Sequence, residues 1–218
     1  MRILLFSFLI ISSAFFTACS NDNSESKYQE EAEHPQIERE EAASEEENKE
    51  EQLKNEQETA TEIVEILKAR DMQRLAKFVH PAKGVRFSPY AYIKQDEDLI
   101  FQTDQVKGLF NDGTVYHWGE FDGSGEPIEL TFEQYFNKFI YDEDYVKAEK
   151  VSINKRLGQG NTIDNSKEIY KEATIVEYHF QGFDKELEGM DWKSLRIVME
   201  KQEGNWFLVG IIHDEWTI

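Results

Sequence analysis

The chain has 218 residues, with 44 Asp and Glu against 24 Lys and Arg, a formal net charge of −20 and an isoelectric point near 4.6. A surface this acidic is repelled by nucleic-acid phosphates and by anionic lipid headgroups, so nothing here has the electrostatic footprint of a nucleic-acid binder. A single cysteine excludes an internal disulfide, and stability must come from packing.

Met1 and Arg2 give a minimal positive start, and Ile3 to Phe16 is an apolar run of about fourteen residues. That is too short to span a bilayer as a helix of about twenty residues and reads as a secretory signal. The small residues Thr17 and Ala18 before Cys19, with Ser20 after it, resemble the lipobox of bacterial lipoproteins. Phe16 departs from the pattern, which usually has Leu, Val or Ile there. The resemblance implies removal of residues 1–18 and attachment of a diacylglycerol to the Cys19 thiol. It places the remainder at the outer face of the cell membrane, lipid-anchored and extracytoplasmic. Two acyl chains suit the task, because one chain alone holds a protein only marginally. A thioether at Cys19 also leaves no thiol for catalysis or for a metal. The alternative is an ordinary secretory signal followed by a free thiol.

Residues 19–58 read as an acidic tether. Ser20 to Glu58 holds fifteen acidic residues against four basic ones and has no repeating hydrophobic face. Such a segment cannot bury a core, and its clustered glutamates stretch it by mutual repulsion. It is expected to be disordered or a solvated helix, because helix formers abound and Glu50 and Lys54 form a favourable i,i+4 pair.

The folded domain is expected over residues 59–218. Thr59 and Glu62 have capping-box spacing ahead of Ala60, Ile63, Val64 and Leu67, and Asp71 can cap a second helix that ends at His80-Pro81. Val85 to Ile93 is β-prone but broken by Pro89, which suits an edge or a pocket rim. Thr103 marks a helical turn, and Thr114–Glu120 and Ile128–Leu130 flank the turn residues Asp122 to Pro127 as a hairpin. Thr131 and Gln134 repeat the capping box before the amphipathic set Phe132, Tyr135, Phe136, Phe139 and Ile140. Four further β-prone runs, from Tyr145, Ala173, Ser194 and Asn205, predict an antiparallel meander. Leu195, Ile197 and Met199 alternate with their neighbours as a half-buried strand does.

The fold class is therefore α+β, with an antiparallel sheet packed against helices. The element order resembles the NTF2-like, or cystatin-like, cone, which implies a curved antiparallel sheet that wraps a long helix around a pocket. The segments His80 to Tyr90, Trp118 to Pro127 and Trp206 to Ile218 also resemble lipoproteins of spore-forming Gram-positive bacteria. That group has no assigned activity, so the likeness bears on localisation and fold and implies no reaction.

No HExxH, CxxC, P-loop, GxSxG or dinucleotide GxGxxG occurs, and no cofactor is implied. No two histidines fall at a ligand spacing on one helix, so no metal site is expected. Cone-type enzymes work with scattered pocket Asp, His and Tyr residues, which leave no linear signature. The catalytic candidates are accordingly His80, His117, His179, His213 and Asp214. His213 and Asp214 are strand neighbours facing opposite ways, so His213 would need a distant acid. Ligand-binding candidates are Arg86, Tyr90, Tyr92, Trp118, Trp192 and Trp216, as aromatic walls and an anion-binding guanidinium. Asp122 to Glu126 places oxygens at alternate positions like the start of a calcium loop, but Pro127 occupies the glycine position, and a plain hairpin turn fits better. The apolar loop Gly182 to Trp192 reads as a lid, a protein-contact loop or a flap on the sheet end. The expected function is a binding or interaction module for a small ligand or an envelope protein. The alternative is an acid-base lyase, isomerase or hydrolase.

Overall fold

The computed structural model describes residue 52 and residues 55–217, all within the second of two compact units, Ala43–Ile218. Residues 1–18, expected to be a signal, Cys19 and most of the stretch expected to be an acidic tether lie outside the described residues. Helix α1 covers residues 55–68. Ala60, Ile63, Val64 and Leu67 are buried in it, the stripe of a helix that lies on a core. The helix does not start at Thr59. Its hydroxyl donates back to the Asn55 carbonyl at 2.9 Å, the i−4 bond of a hydroxyl within a helix. Trp206 Nε1 donates to Asn55 Oδ1 at 2.8 Å, which holds the added turn against the sheet.

Helix α2, Met72–Phe78, is capped by Asp71, whose side chain accepts from the Arg74 N–H at 3.0 Å. Strand β1, Val85–Ser88, is an interior strand and not the edge that Pro89 suggests. It pairs antiparallel with the two-residue β2, Ile100–Phe101, and parallel with β8, Asn205–Glu215. Pro89 ends the strand without interrupting it. Helix α3, Thr103–Val106, takes Gln102 as its cap, one residue before the Thr103 expected in that role. Strands β3, Val115–Glu120, and β4, Pro127–Thr131, form a separate hairpin. Helix α4, Phe132–Tyr135, begins with the reciprocal Thr131–Gln134 capping box. The chain then widens into a π-helical turn over Phe136–Ile140.

Strands β5, Lys150–Ile153, β6, Thr174–Phe180, β7, Lys193–Gln202, and β8 form the antiparallel meander, with the short α5, Ser166–Ile169, between β5 and β6. The six-stranded order is β2-β1-β8-β7-β6-β5, so this is an α+β fold on a curved, largely antiparallel sheet. Glu203 and Gly204 join β7 to β8 with φ of 52° and 82°, the backbone of the tight turn that matches strand twist.

The pleat gives the sheet two unlike faces. Val85, Phe87, Val176, Tyr178, Leu195, Ile197, Leu208 and Ile211 share one core with α1, α2 and α4. Ile175, Val198, Val209 and Ile212 form a second cluster, covered by Ile169, Tyr170 and Ala173. Among the described residues no helix is long and apolar enough to cross a membrane.

Candidate functional site

Three segments meet beside the β3–β4 turn. Tyr90 and Tyr92 come from the stretch after β1, Phe121 to Gly125 from the hairpin turn, and Thr162 from the loop after β5. They line a cleft of about 450 Å³ together with Lys94 and Glu120. Tyr92 is 48% exposed, whereas Tyr90 is half-buried with its ring edge-on to Phe139 at 5.7 Å. Gly123 and Gly125 have φ of 82° and 69°, which glycine adopts without steric cost. Thr162 Oγ1 donates to Asp122 Oδ2 at 3.1 Å and fastens the loop to the turn. Lys94 Nζ donates to Glu97 at 2.9 Å and Glu120 at 3.1 Å. Those two bonds raise its pKa, so a fixed cation sits on the rim. Burial raises the Tyr90 pKa, opposed by a bond to the Asp122 backbone.

Behind Tyr90 and Phe139 lies a buried acid-base cluster at the inner end of β7 and β8. His213 Nε2 is 3.3 Å from Asp142 Oδ2, and its Nδ1 is 3.3 Å from the Pro89 carbonyl. Lys193 Nζ donates to the same Asp142 Oδ2 at 2.6 Å, and Tyr145 Oη donates to Oδ1 at 2.8 Å. Burial works against charge on both partners. The bond and field of Asp142 nonetheless hold the His213 pKa above its ordinary value. His213 and Lys193 in turn hold the Asp142 carboxyl well below the usual carboxylate range. Asp142, His213 and Glu215 each offer a ligand atom, and these atoms lie within 4.8 Å of one another.

Asp214 faces the other way, as the strand period requires. It is ion-paired with the buried Arg196 and accepts from Arg156 at 2.9 Å. Arg196 also meets Glu177 at 3.5 Å and Asp164 at 3.4 Å. Glu177 accepts from the backbone of Leu157 and Gly158 and from Ser194 Oγ, and His179 Nδ1 contacts that hydroxyl at 2.9 Å. His179, Ser194 and Glu177 thus pin the loop after β5 to the sheet. Here the acid bonds the serine and not the imidazole, unlike a nucleophilic triad. A cavity of about 230 Å³ opens beside Arg156, Asp164 and Arg196.

The remaining candidates sit elsewhere. His80 is buried, and its Nδ1 accepts from the Ala82 and Lys83 N–H groups, so it shapes a turn. His117 is exposed on β3 opposite Glu129. Arg86 does not join the tyrosine cleft: on β1 it alternates with the inward Val85 and Phe87, and its guanidinium donates to the Gln95 and Asp98 carbonyls. Trp118 is no pocket wall. It is 1% exposed, stacked on Tyr135 at 3.8 Å, and bonded to the Leu130 carbonyl. Trp192 is buried too, its ring pressed on Gly158 and Gly160. Trp216 is half-buried beyond the end of β8. In the Gly182 to Trp192 loop, Phe183, Leu187 and Met190 are exposed while Trp192 is not. Cys19 lies outside the described residues. The sequence reading missed Asp142, Tyr145 and Lys193. The cue for Asp142 is weak: an acid directly after an amphipathic helix, 71 residues from the histidine it meets.

No family model and no curated protein matches this chain. A domain from Xanthomonas campestris, assigned as a calcium/calmodulin dependent protein kinase II association domain, is similar in structure. The identity is 15% with a TM-score of 0.29, over 70% of this chain and 79% of that one.

Proposed function

We propose that this chain is a lipid-anchored extracytoplasmic binding module, held to the outer face of the membrane through Cys19, with an NTF2-like cone that receives a small ligand at its mouth. The observation that carries the reading is the cleft of about 450 Å³ walled by Tyr90, Tyr92 and Phe121. It combines an apolar wall with a few polar groups at fixed positions, Lys94, Glu120 and Asp122, as ligand sites do. An amphipathic molecule with a flat apolar face and a polar edge suits that lining. The cone is supported by helices that precede a sheet whose first strand lies parallel to its last. The anchor is supported by the Thr17-Ala18-Cys19-Ser20 run.

Native and denaturing mass spectrometry of the chain recovered from bacterial membranes tests the ligand. The expected result is an added mass that denaturation removes and that Tyr92→Ala lacks; Tyr92 is exposed enough to be changed without disturbing the core. A bare mass from the unaltered chain overturns the ligand reading. For the anchor, Cys19→Ala is expected to move the protein from the membrane fraction to the medium, and retention in the membrane would overturn it.

An acid-base enzyme is the second reading, favoured by the 3.3 Å approach of His213 to Asp142. Its difficulty is access, because the His213 side chain is 0% exposed and a general base must reach the proton it takes. Turnover of a cleft-bound molecule that Asp142→Asn abolishes, with binding intact, would establish it.

A further inference from the structure

The cluster behind the cleft holds more ligand chemistry than a buried ion pair uses. We infer that Asp142, His213 and Glu215 bind one divalent transition metal ion of the zinc class, and that Lys193 is the cation this metal displaces.

Geometry carries the inference. Two ligands about 2.0–2.1 Å from a tetrahedral zinc are separated by about 3.3–3.4 Å. His213 Nε2 and Asp142 Oδ2 are 3.3 Å apart. A charge-assisted N–H···O bond is usually shorter, about 2.7–2.9 Å, so the contact is a long hydrogen bond at a spacing that a shared zinc also requires. Glu215 completes a set whose ligand atoms lie within 4.8 Å of each other. It reaches that distance from a half-buried side chain on the same strand face as His213.

The supporting shell is in place. Ligand histidines commonly donate their second N–H to a carbonyl, which directs the other nitrogen at the metal. The Pro89 carbonyl faces His213 Nδ1 in that way, and Tyr145 Oη steadies the second oxygen of Asp142 at 2.8 Å. Three protein donors leave a fourth tetrahedral position open. One nitrogen and two carboxylates select a zinc-like ion over calcium or magnesium, which take six or more oxygens.

Lys193 marks both the local field and the route in. Its ammonium lies 2.6 Å from Asp142 Oδ2 and 3.7 Å from Glu143 Oε1, on a side chain 25% exposed. A group so placed can swing to solvent and yield its position to a doubly charged ion. Removing its charge therefore strengthens metal binding, whereas in a purely structural ion-pair cluster the same change would only destabilise the fold.

The test is equilibrium dialysis of the full chain against zinc chloride, with bound metal measured by elemental analysis and folding by circular dichroism. One zinc per chain is expected, with Glu215→Gln and Asp142→Asn each weakening binding by about tenfold or more, and Lys193→Met tightening it. Cobalt in place of zinc should give the visible absorption of a tetrahedral site. If Asp142→Asn does not fold, Glu215→Gln decides, since its side chain is only half-buried. Zinc that binds equally to Glu215→Gln and the unaltered chain lies on other groups, such as the N-terminal glutamates, and overturns the inference. A folded chain that retains no zinc overturns it as well.

Discussion

Asp98 is a buried carboxyl that the fold holds against its own charge. Burial pushes its pKa up to about 6, although the Ser88 hydroxyl, the nearby Arg86 and the Lys94 N–H all favour the ionised form. In the unfolded chain the group titrates near 4. The folded state therefore holds the proton more tightly, and stability falls as pH rises from about 4 through about 6. Asp98→Asn keeps an acceptor for Ser88 and for the Lys94 N–H and has no charge to bury. Its expected effect is a gain of about 1–3 kcal/mol at pH 7, with a flatter stability profile across that window. Denaturant titrations of both proteins between pH 4 and pH 7 measure it. Equal stability at pH 7 would show that Asp98 is well solvated.

Between elements, the turns carry the clearest expectations. Glu203 sits at φ 52° in the β7–β8 hairpin, where asparagine is far better suited than glutamate. Glu203→Asn should add about 0.5–1 kcal/mol. Gly84, at φ +70°, is the opposite case, because a Cβ there would lie 2.7 Å from the Phe101 carbonyl oxygen. Gly84→Ala should cost about 1–3 kcal/mol by breaking the β1–β2 edge, and thermal denaturation separates the two signs. The same local chemistry explains what was legible beforehand. Alternation along Ser194 to Gln202 marks β7 as a strand but not as a half-buried one, because Ser194, Arg196 and Val198 are buried as fully as Leu195 and Ile197 under the loop after β5; the Glu203-Gly204 turn specifies its hairpin, and Thr131 with Gln134 specifies the start of α4. The face of β1 was legible in principle. Val85 and Phe87 pack inward, so Arg86 must point away from the tyrosines, a step that a search for guanidinium near aromatics passes over. Trp118 shows a harder limit. An indole that walls a pocket and one that stacks on Tyr135 read alike until the facing element is placed. The meeting of Asp142 with His213 depends on how a π turn ends over a strand 71 residues later, and no spacing rule reaches that far.

At the scale of the molecule, the sheet does two separate jobs. Its helix-covered face builds the core and brings the His213 cluster behind the cleft, while its other face spends buried charge on fixing the loop after β5. Arg196 is the hub of the second arrangement, facing Asp164, Glu177 and Asp214. Arg196→Met leaves those carboxylates facing one another, with Arg156 still paired to Asp164 and Asp214, and is expected to cost about 3–5 kcal/mol. Chemical denaturation would show it, together with faster proteolysis of residues 154–165; an unchanged midpoint would mean the network adds nothing. The parallel seam between β1 and β8 sets the order in which the whole can be assembled. His213 and Pro89, which meet across it, are 124 residues apart, and β8 is also the only partner of β7 on that side. Closing so long a loop is entropically slow. Deleting residues 205–217 should therefore leave a chain without cooperative unfolding, since it removes the strand that both halves of the sheet share. A polypeptide made from its N-terminus has already produced α1, α2 and β1 long before their partner strand exists. The six-stranded sheet can close only after synthesis has reached β8, so until then β1 and the β5–β7 meander remain two separate pieces with no strand to join them.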